Sequence, residues 1–161
     1  MKIKEIDINC DMGEKTGQMS MEIDKLIFPY ISSCNISCGF HAGDPLYIEQ
    51  TIQLALEHNI RIGAHPSYPD LKGFGRKKMN LSASELRSII KYQVAALKGM
   101  AKSCGAKLEY VKPHGALYNE IVANKAEAIT VMEAIQSIDT NLALMGLAGS
   151  HLEELAEKKR H

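Results

Sequence analysis

Asn35-Ile36-Ser37-Cys38-Gly39-Phe40-His41-Ala42-Gly43-Asp44-Pro45 is the stretch that decides how this chain folds. The apolar run leading into it, Tyr30 to Ile36, reads as a buried strand, and it ends in a turn carrying two glycines, a histidine and an aspartate. Asp44-Pro45 then starts a helix: the aspartate offers an N-cap oxygen, and the proline lacks an N–H where the first turn has no use for one. Strand, polar glycine-rich loop and helix, in that order, is the unit that delivers reactive side chains to the carboxyl end of a parallel sheet.

The unit recurs on both sides. Towards the N-terminus, Ile3 to Asn9 reads as a first strand, followed by the polar turn Cys10-Asp11-Met12-Gly13-Glu14 and a weak helix from Glu22 to Phe28 stopped near Pro29. Towards the C-terminus, the helix from Pro45 to about His58 places Ile48, Ile52, Ala55 and Leu56 on one stripe. A strand from Ile60 to Ala64 runs into the long irregular loop that opens His65-Pro66-Ser67-Tyr68-Pro69-Asp70. Ser82 and Glu85 form a capping box for a helix whose apolar period (Leu86, Ile89, Ile90, Val94, Leu97, Met100, Ala101) lasts until Gly105. Leu108 to Val111 is a fourth strand, and Lys112-Pro113-His114-Gly115-Ala116-Leu117-Tyr118-Asn119 is the loop after it. Asn124 caps a helix to Ile138, Leu142 to Met145 is a fifth strand, and Ser150 with Glu153 caps a last helix.

About five βα units in strict alternation define the α/β class, with parallel strands and right-handed crossovers, in one domain over residues 1–161. A doubly wound sheet usually carries a phosphate loop after its first strand, and Cys10 to Gly17 matches neither G-x-G-x-x-G nor G-x-x-x-x-G-K-[ST]. The pattern therefore favours a β/α barrel, although a doubly wound sheet also alternates and 161 residues fall short of the ~250 of a typical closed barrel. Lys and Arg together equal Asp and Glu at 19 each, so no basic surface asks for nucleic acid or an anionic membrane. No apolar run reaches the ~20 residues of a membrane span. Cys10, Cys34, Cys38 and Cys104 make no C-x-x-C pair, which suits inert thiols in a reducing cytoplasm.

In a barrel the loops after the strands share one mouth, so Asp11, Glu14, Asn35, His41, Asp44, His65, Asp70, Arg76, Lys112, His114 and His151 become candidates for one site. Carboxylates and imidazoles gathered there suit either general acid–base work or a divalent metal, for which Asp11, His41 and His65 are the first set and His114 a fourth ligand. The alternative is that the histidines are hydrogen-bonded residues shaping the pocket. Lys112, kept extended by Pro113, can hold an anion as a point charge, with Arg76 as second choice, although both also suit solvated loop cations.

Four blocks carry a resemblance: Asn9 to Glu14, Asn35 to Pro45, Gly63 to Asp70 with Gly73-Phe74-Gly75-Arg76, and Lys112 to Asn119. In content and order they resemble the LamB/YcsF family, the A subunits of 5-oxoprolinase. The resemblance implies the glycoside hydrolase/deacetylase type of β/α barrel, seven-stranded in the family, so that this chain is short at its C-terminal end. It also implies ATP-dependent opening of 5-oxoproline to glutamate together with partner subunits B and C, ATP being handled mainly by those partners. On that reading Lys112 or Arg76 holds the ring carboxylate, Asp11 with His41 or His65 activates water or binds a divalent metal, and His114 donates a proton. Asn35, Glu14 and Asp44 complete the lining. The open edge strand would be covered by a partner, a second copy or further chain. The competing expectations are a metal-dependent sugar deacetylase of the same barrel type and a non-catalytic assembly component.

Overall fold

The computed structural model describes residues 6–15 and 21–158. Its elements run β1 (Asn9–Met12), α1 (Met21–Ile27), a 3-10 turn (Phe28–Tyr30), β2 (Ser33–Ser37), α2 (Pro45–Glu57), β3 (Arg61–His65) and α3 (Ala83–Ser103). They continue with β4 (Leu108–Val111), α4 (Gly115–Ala123), α5 (Lys125–Gln136), β5 (Ala143–Leu144) and α6 (Leu152–Lys158). All strand pairs are parallel, in the spatial order β1-β2-β3-β4-β5. Sequential order means that every crossover steps in the same direction. Right-handed crossovers then put all helices on one face and leave the other to become a barrel interior. A doubly wound sheet reverses direction and takes helices on both faces. This sheet is an arc of a β/α barrel.

The helix-covered face is apolar. Ile36, Ile62, Ala64 and Val111 alternate outward from β2, β3 and β4 and join Ile52 and Ala55 of α2, Ile90 and Val94 of α3, and Val131 and Ile135 of α5 in one buried cluster. Each such branched side chain contributes roughly 1.5–3 kcal/mol by leaving water. The long helix α3 begins with the capping box read from Ser82 and Glu85, in which each side chain satisfies the other's backbone N–H.

The opposite face is polar from end to end. Asn9 and Asp11 of β1 stand beside Ser33 and Asn35 of β2, and Ser37 stands beside His65 of β3. The Asn9 side-chain amide donates to Ser33 Oγ at 2.7 Å and to Tyr110 Oη at 2.9 Å, while that of Asn35 donates to Asn9 and to Asp11 Oδ1, the latter at 2.6 Å. Tyr110 lies flat across β3 to reach the Cys34 carbonyl at 2.8 Å. It can do so because Gly63 has no side chain: a Cβ there would sit 2.1 Å from the ring.

This polar face displaces the first strand from its predicted place. Ile3 to Asn9 suggests a strand, but β1 begins at Asn9, and Ile6 and Ile8 are exposed. Residues 1–5 of that expectation lie outside the described residues. The strand is set by side-chain pairing inside the arc, which a hydrophobic pattern cannot show. The loop expected from Lys112 to Asn119 also differs, since α4 starts within it at Gly115. Among the described residues, no helix is long and apolar enough to cross a membrane.

Candidate active site

The sheet delivers the loops after β1, β2, β3 and β4 to one end, and Glu14, His41, His65 and His114 meet there, all buried. One ligand atom from each lies within 4.8 Å of those from the other three. These four residues could hold a metal ion.

Each is fixed by its neighbours. Asp24 of α1 accepts a hydrogen bond from the Gly13 N–H at 3.2 Å and another from Tyr47 Oη at 3.1 Å, anchoring the backbone just before Glu14. Gln93, buried on α3, clamps the loop after His65 by accepting from the Ser67 N–H and donating to the Ser67 carbonyl, both at 2.9 Å. His41 stacks on His114 with 3.7 Å between ring centroids, and the Phe74 ring stands edge-on to both. Phe74 holds a left-handed backbone (φ 54°), unusual for a bulky residue, and the next residue must be glycine-like. A Cβ on Gly75 would come within 2.9 Å of both His114 and His41.

The backbone also sets the tautomers. A carbonyl oxygen can only accept, so His65 Nδ1 donates to the Lys112 carbonyl (2.6 Å) and His114 Nε2 donates to the Phe74 carbonyl (2.8 Å). In the neutral rings His65 Nε2 and His114 Nδ1 therefore carry lone pairs, and they face each other at 3.0 Å. Glu14 Oε1 lies 3.3 Å from His114 Nδ1, 3.7 Å from His65 Nε2 and 2.7 Å from His41 Nε2. His41 Nδ1 has no hydrogen-bond partner among the described residues. Burial, together with the neighbouring His41 and His65, pushes the His114 imidazolium down to about 4. Burial also lowers His41, outweighing the attraction of Glu14.

Asp11 stands beside this group, its Oδ1 3.4 Å from His65 Nε2 and 2.8 Å from Lys112 Nζ. Burial raises its carboxyl, but the nearby His65 imidazole, together with hydrogen bonds from Lys112 and Asn35, outweighs that and holds it well below the usual carboxylate range. Asp11, His65, Arg76, Lys112 and His114 line a cavity of about 370 Å³. The Arg76 guanidinium lies 5.2 Å from the centre of the Phe74 ring. Of the remaining candidates, Asn35 sits behind Asp11 as its hydrogen-bond donor. Asp44 serves the helix: it caps α2 by accepting from the Tyr47 N–H at 2.9 Å and pairs with Lys15 at 3.3 Å. Asp24 and Gln93 were not legible as site residues. They act through hydrogen bonds across the fold, and no local spacing marks them.

The arrangement offers an anionic pocket wall and two cations beside a buried cluster of bases. The chain also compares closely with known proteins. The LamB/YcsF family matches residues 6–161. A protein named as the 5-oxoprolinase A subunit of Bacillus cereus is 51% identical over 148 residues, covering 92% of this chain and 58% of that protein. One of the same name from Photorhabdus laumondii is 50% identical over 153 residues, covering 95% of this chain and 61% of that protein. Another, from Pseudomonas putida, is 49% identical over 146 residues, covering 91% and 57%. The crystal structure of a lactam utilization protein from Thermus thermophilus superposes with a TM-score of 0.90 at 41% identity, covering 96% of this chain and 63% of that one. The chain thus spans about three-fifths of the length of these relatives. With a match over almost its whole length and half its residues shared with named members, this chain belongs to the LamB/YcsF family.

Proposed function

We propose that the chain supplies the lactam-opening site of a 5-oxoprolinase, as its A subunit. The observation that carries this reading is the shared cavity: Lys112 and Arg76 line the same wall as Asp11, His65 and His114. The substrate, 5-oxoproline, is a small ring with one carboxylate and one amide, and such a cavity meets both needs. A cation holds the carboxylate, and the bases stand next to the amide carbon.

A five-membered lactam keeps its amine and acyl group at high effective concentration, so hydrolysis needs a drive. In the proposed reaction ATP, handled with partner subunits B and C, phosphorylates the amide oxygen and leaves as ADP. Water then adds to the amide carbon, the ring C–N bond breaks to give γ-glutamyl phosphate, and a second water hydrolyses that to glutamate and phosphate. Arg76 holds the ring carboxylate alongside Lys112, whose ammonium is already shared with Asp11. Asp11 and His65 orient and deprotonate the attacking water, and His114, neutral at rest, relays the proton taken up by His65 to the departing ring nitrogen. His41 and Glu14 stand behind them, packing and charging the histidine pair. The two cations also offset the negative charge of the phosphoryl group on the amide oxygen.

The test is reconstitution with subunits B and C, 5-oxoproline and ATP. Glutamate and ADP should appear together, and should disappear with Asp11→Asn or Lys112→Ala in chains that still fold. Glutamate formation unaffected by both substitutions would sink the assignment. The buried histidine group favours one second reading, a metal-dependent amide hydrolase acting without ATP. Metal-dependent, ATP-independent release of acetate from an N-acetylated sugar would select it.

A further inference from the structure

We propose that Glu14, His41, His65 and His114 bind one divalent transition-metal ion of the zinc class, through a carboxylate oxygen and three imidazole nitrogens. The inference stands on the donor geometry and does not depend on which substrate the cavity takes. In the ion-bound chain His65 Nε2 and His114 Nδ1 are ligands, so the proton-transfer roles given to them above belong to the metal-free chain.

The first ground is the direction of the lone pairs. The Lys112 and Phe74 carbonyls take the hydrogens of His65 Nδ1 and His114 Nε2. Both remaining nitrogens point at one another, 3.0 Å apart, with no hydrogen between them in the neutral rings. A carboxylate oxygen of Glu14 adds a third electron-rich atom within 3.7 Å of each. Facing electron pairs in a buried space repel, and a cation between them turns the repulsion into bonding. A ligating histidine fixed by donating its other N–H to a backbone carbonyl is the outer-shell pattern of metal sites. Here two of the three histidines show it.

The second ground is spacing. An ion with bonds of about 2.0–2.1 Å sets its ligand atoms roughly 3–3.4 Å apart in tetrahedral or octahedral arrangement. Four of the six separations within the group, 2.7, 3.0, 3.3 and 3.7 Å, straddle that span, and all six lie within 4.8 Å. The third ground is donor chemistry. Three imidazoles and one carboxylate favour zinc and its neighbours over magnesium or calcium, which prefer oxygen ligands throughout.

The same geometry leaves Asp11 out of the set. Its carboxylate is the nearest other acid, but Lys112 and Asn35 already occupy the oxygen that faces His65. Bound in this way, the ion would tie together the carboxyl ends of four successive strands.

The experiment uses the purified chain, stripped with chelator and titrated with zinc, with cobalt(II) as an optical probe. Elemental analysis should return about one zinc per chain. Cobalt should give visible ligand-field bands that zinc abolishes, and the melting temperature should rise with metal. Glu14→Gln and His41→Ala should lose the stoichiometric ion and the bands, while Asp11→Asn keeps both within about tenfold in affinity, as for an outer-shell change. Far-UV circular dichroism separates lost binding from lost folding, and the near-isosteric Glu14→Gln serves if His41→Ala misfolds. A folded wild-type chain that takes up no zinc would overturn the site. So would bands that survive both ligand substitutions, or bands that vanish with Asp11→Asn.

Discussion

The two faces of the sheet are written by alternate residues of the same strands, and they have opposite chemistry. Outward, Ile36, Ile62, Ala64 and Val111 pack against helices and exclude water. Inward, Asn9, Asp11, Asn35 and His65 bond to one another and to Tyr110 and Lys112. Neighbouring positions thus divide the labour: one face holds the molecule together, and the other builds the site. Inner-face substitutions should therefore cost turnover, and outer-face substitutions should cost stability.

The largest expected effect is on the inner face. His65→Ala should lower kcat in the reconstituted 5-oxoproline assay by about a thousandfold, within the range for losing a general acid–base group, while cooperative urea unfolding persists. Equal turnover in wild type and variant would break the division. Next, Ile36→Ala on the outer face should cost about 3 kcal/mol in urea unfolding through lost burial and the cavity left behind, with KM little changed in the fraction that remains folded.

A smaller effect follows from pH. His114, His41 and Asp11 all have folded pKa values below their ordinary ones, His114 at about 4 against 6.5. The unfolded chain therefore binds more protons on acidification, and the stability these groups contribute is complete at neutral pH. The histidine part is lost as pH falls from about 6.5 towards 4, and the Asp11 part below the ordinary carboxylate range. Metal-free chain should lose on the order of 1 kcal/mol between about pH 7 and pH 4.5 by denaturant titration, a slope that His114→Gln flattens. The smallest effect belongs to neither face. Arg87→Ala removes a 2.9 Å pair with Glu133 on the helix surface and should shift stability by less than about 1 kcal/mol.

The same division explains what could be read in advance. The helix α3 was legible because its capping box, apolar period and terminal glycine all lie within one local window. β1 was misplaced because its pairing residues are polar, and the neighbouring isoleucines offered a false pattern. α4 was hidden because its N-cap, His114, turns its side chain into the site and makes no capping hydrogen bond. The loops that meet at the mouth followed from strand order alone. That Glu14 would stand among three histidines did not, since the bonds that place it run through Asp24 and Tyr47 on other helices.

The crossing of Tyr110 over Gly63 restricts how this sequence can drift. Any larger residue at position 63 collides with the ring, so a change there is tolerated only after position 110 has shrunk. Shrinking position 110 first strips a partner from Asn9 and from the Cys34 carbonyl. Both orders of mutation pass through a weakened intermediate, and the two sites should covary across descendants or stay frozen together.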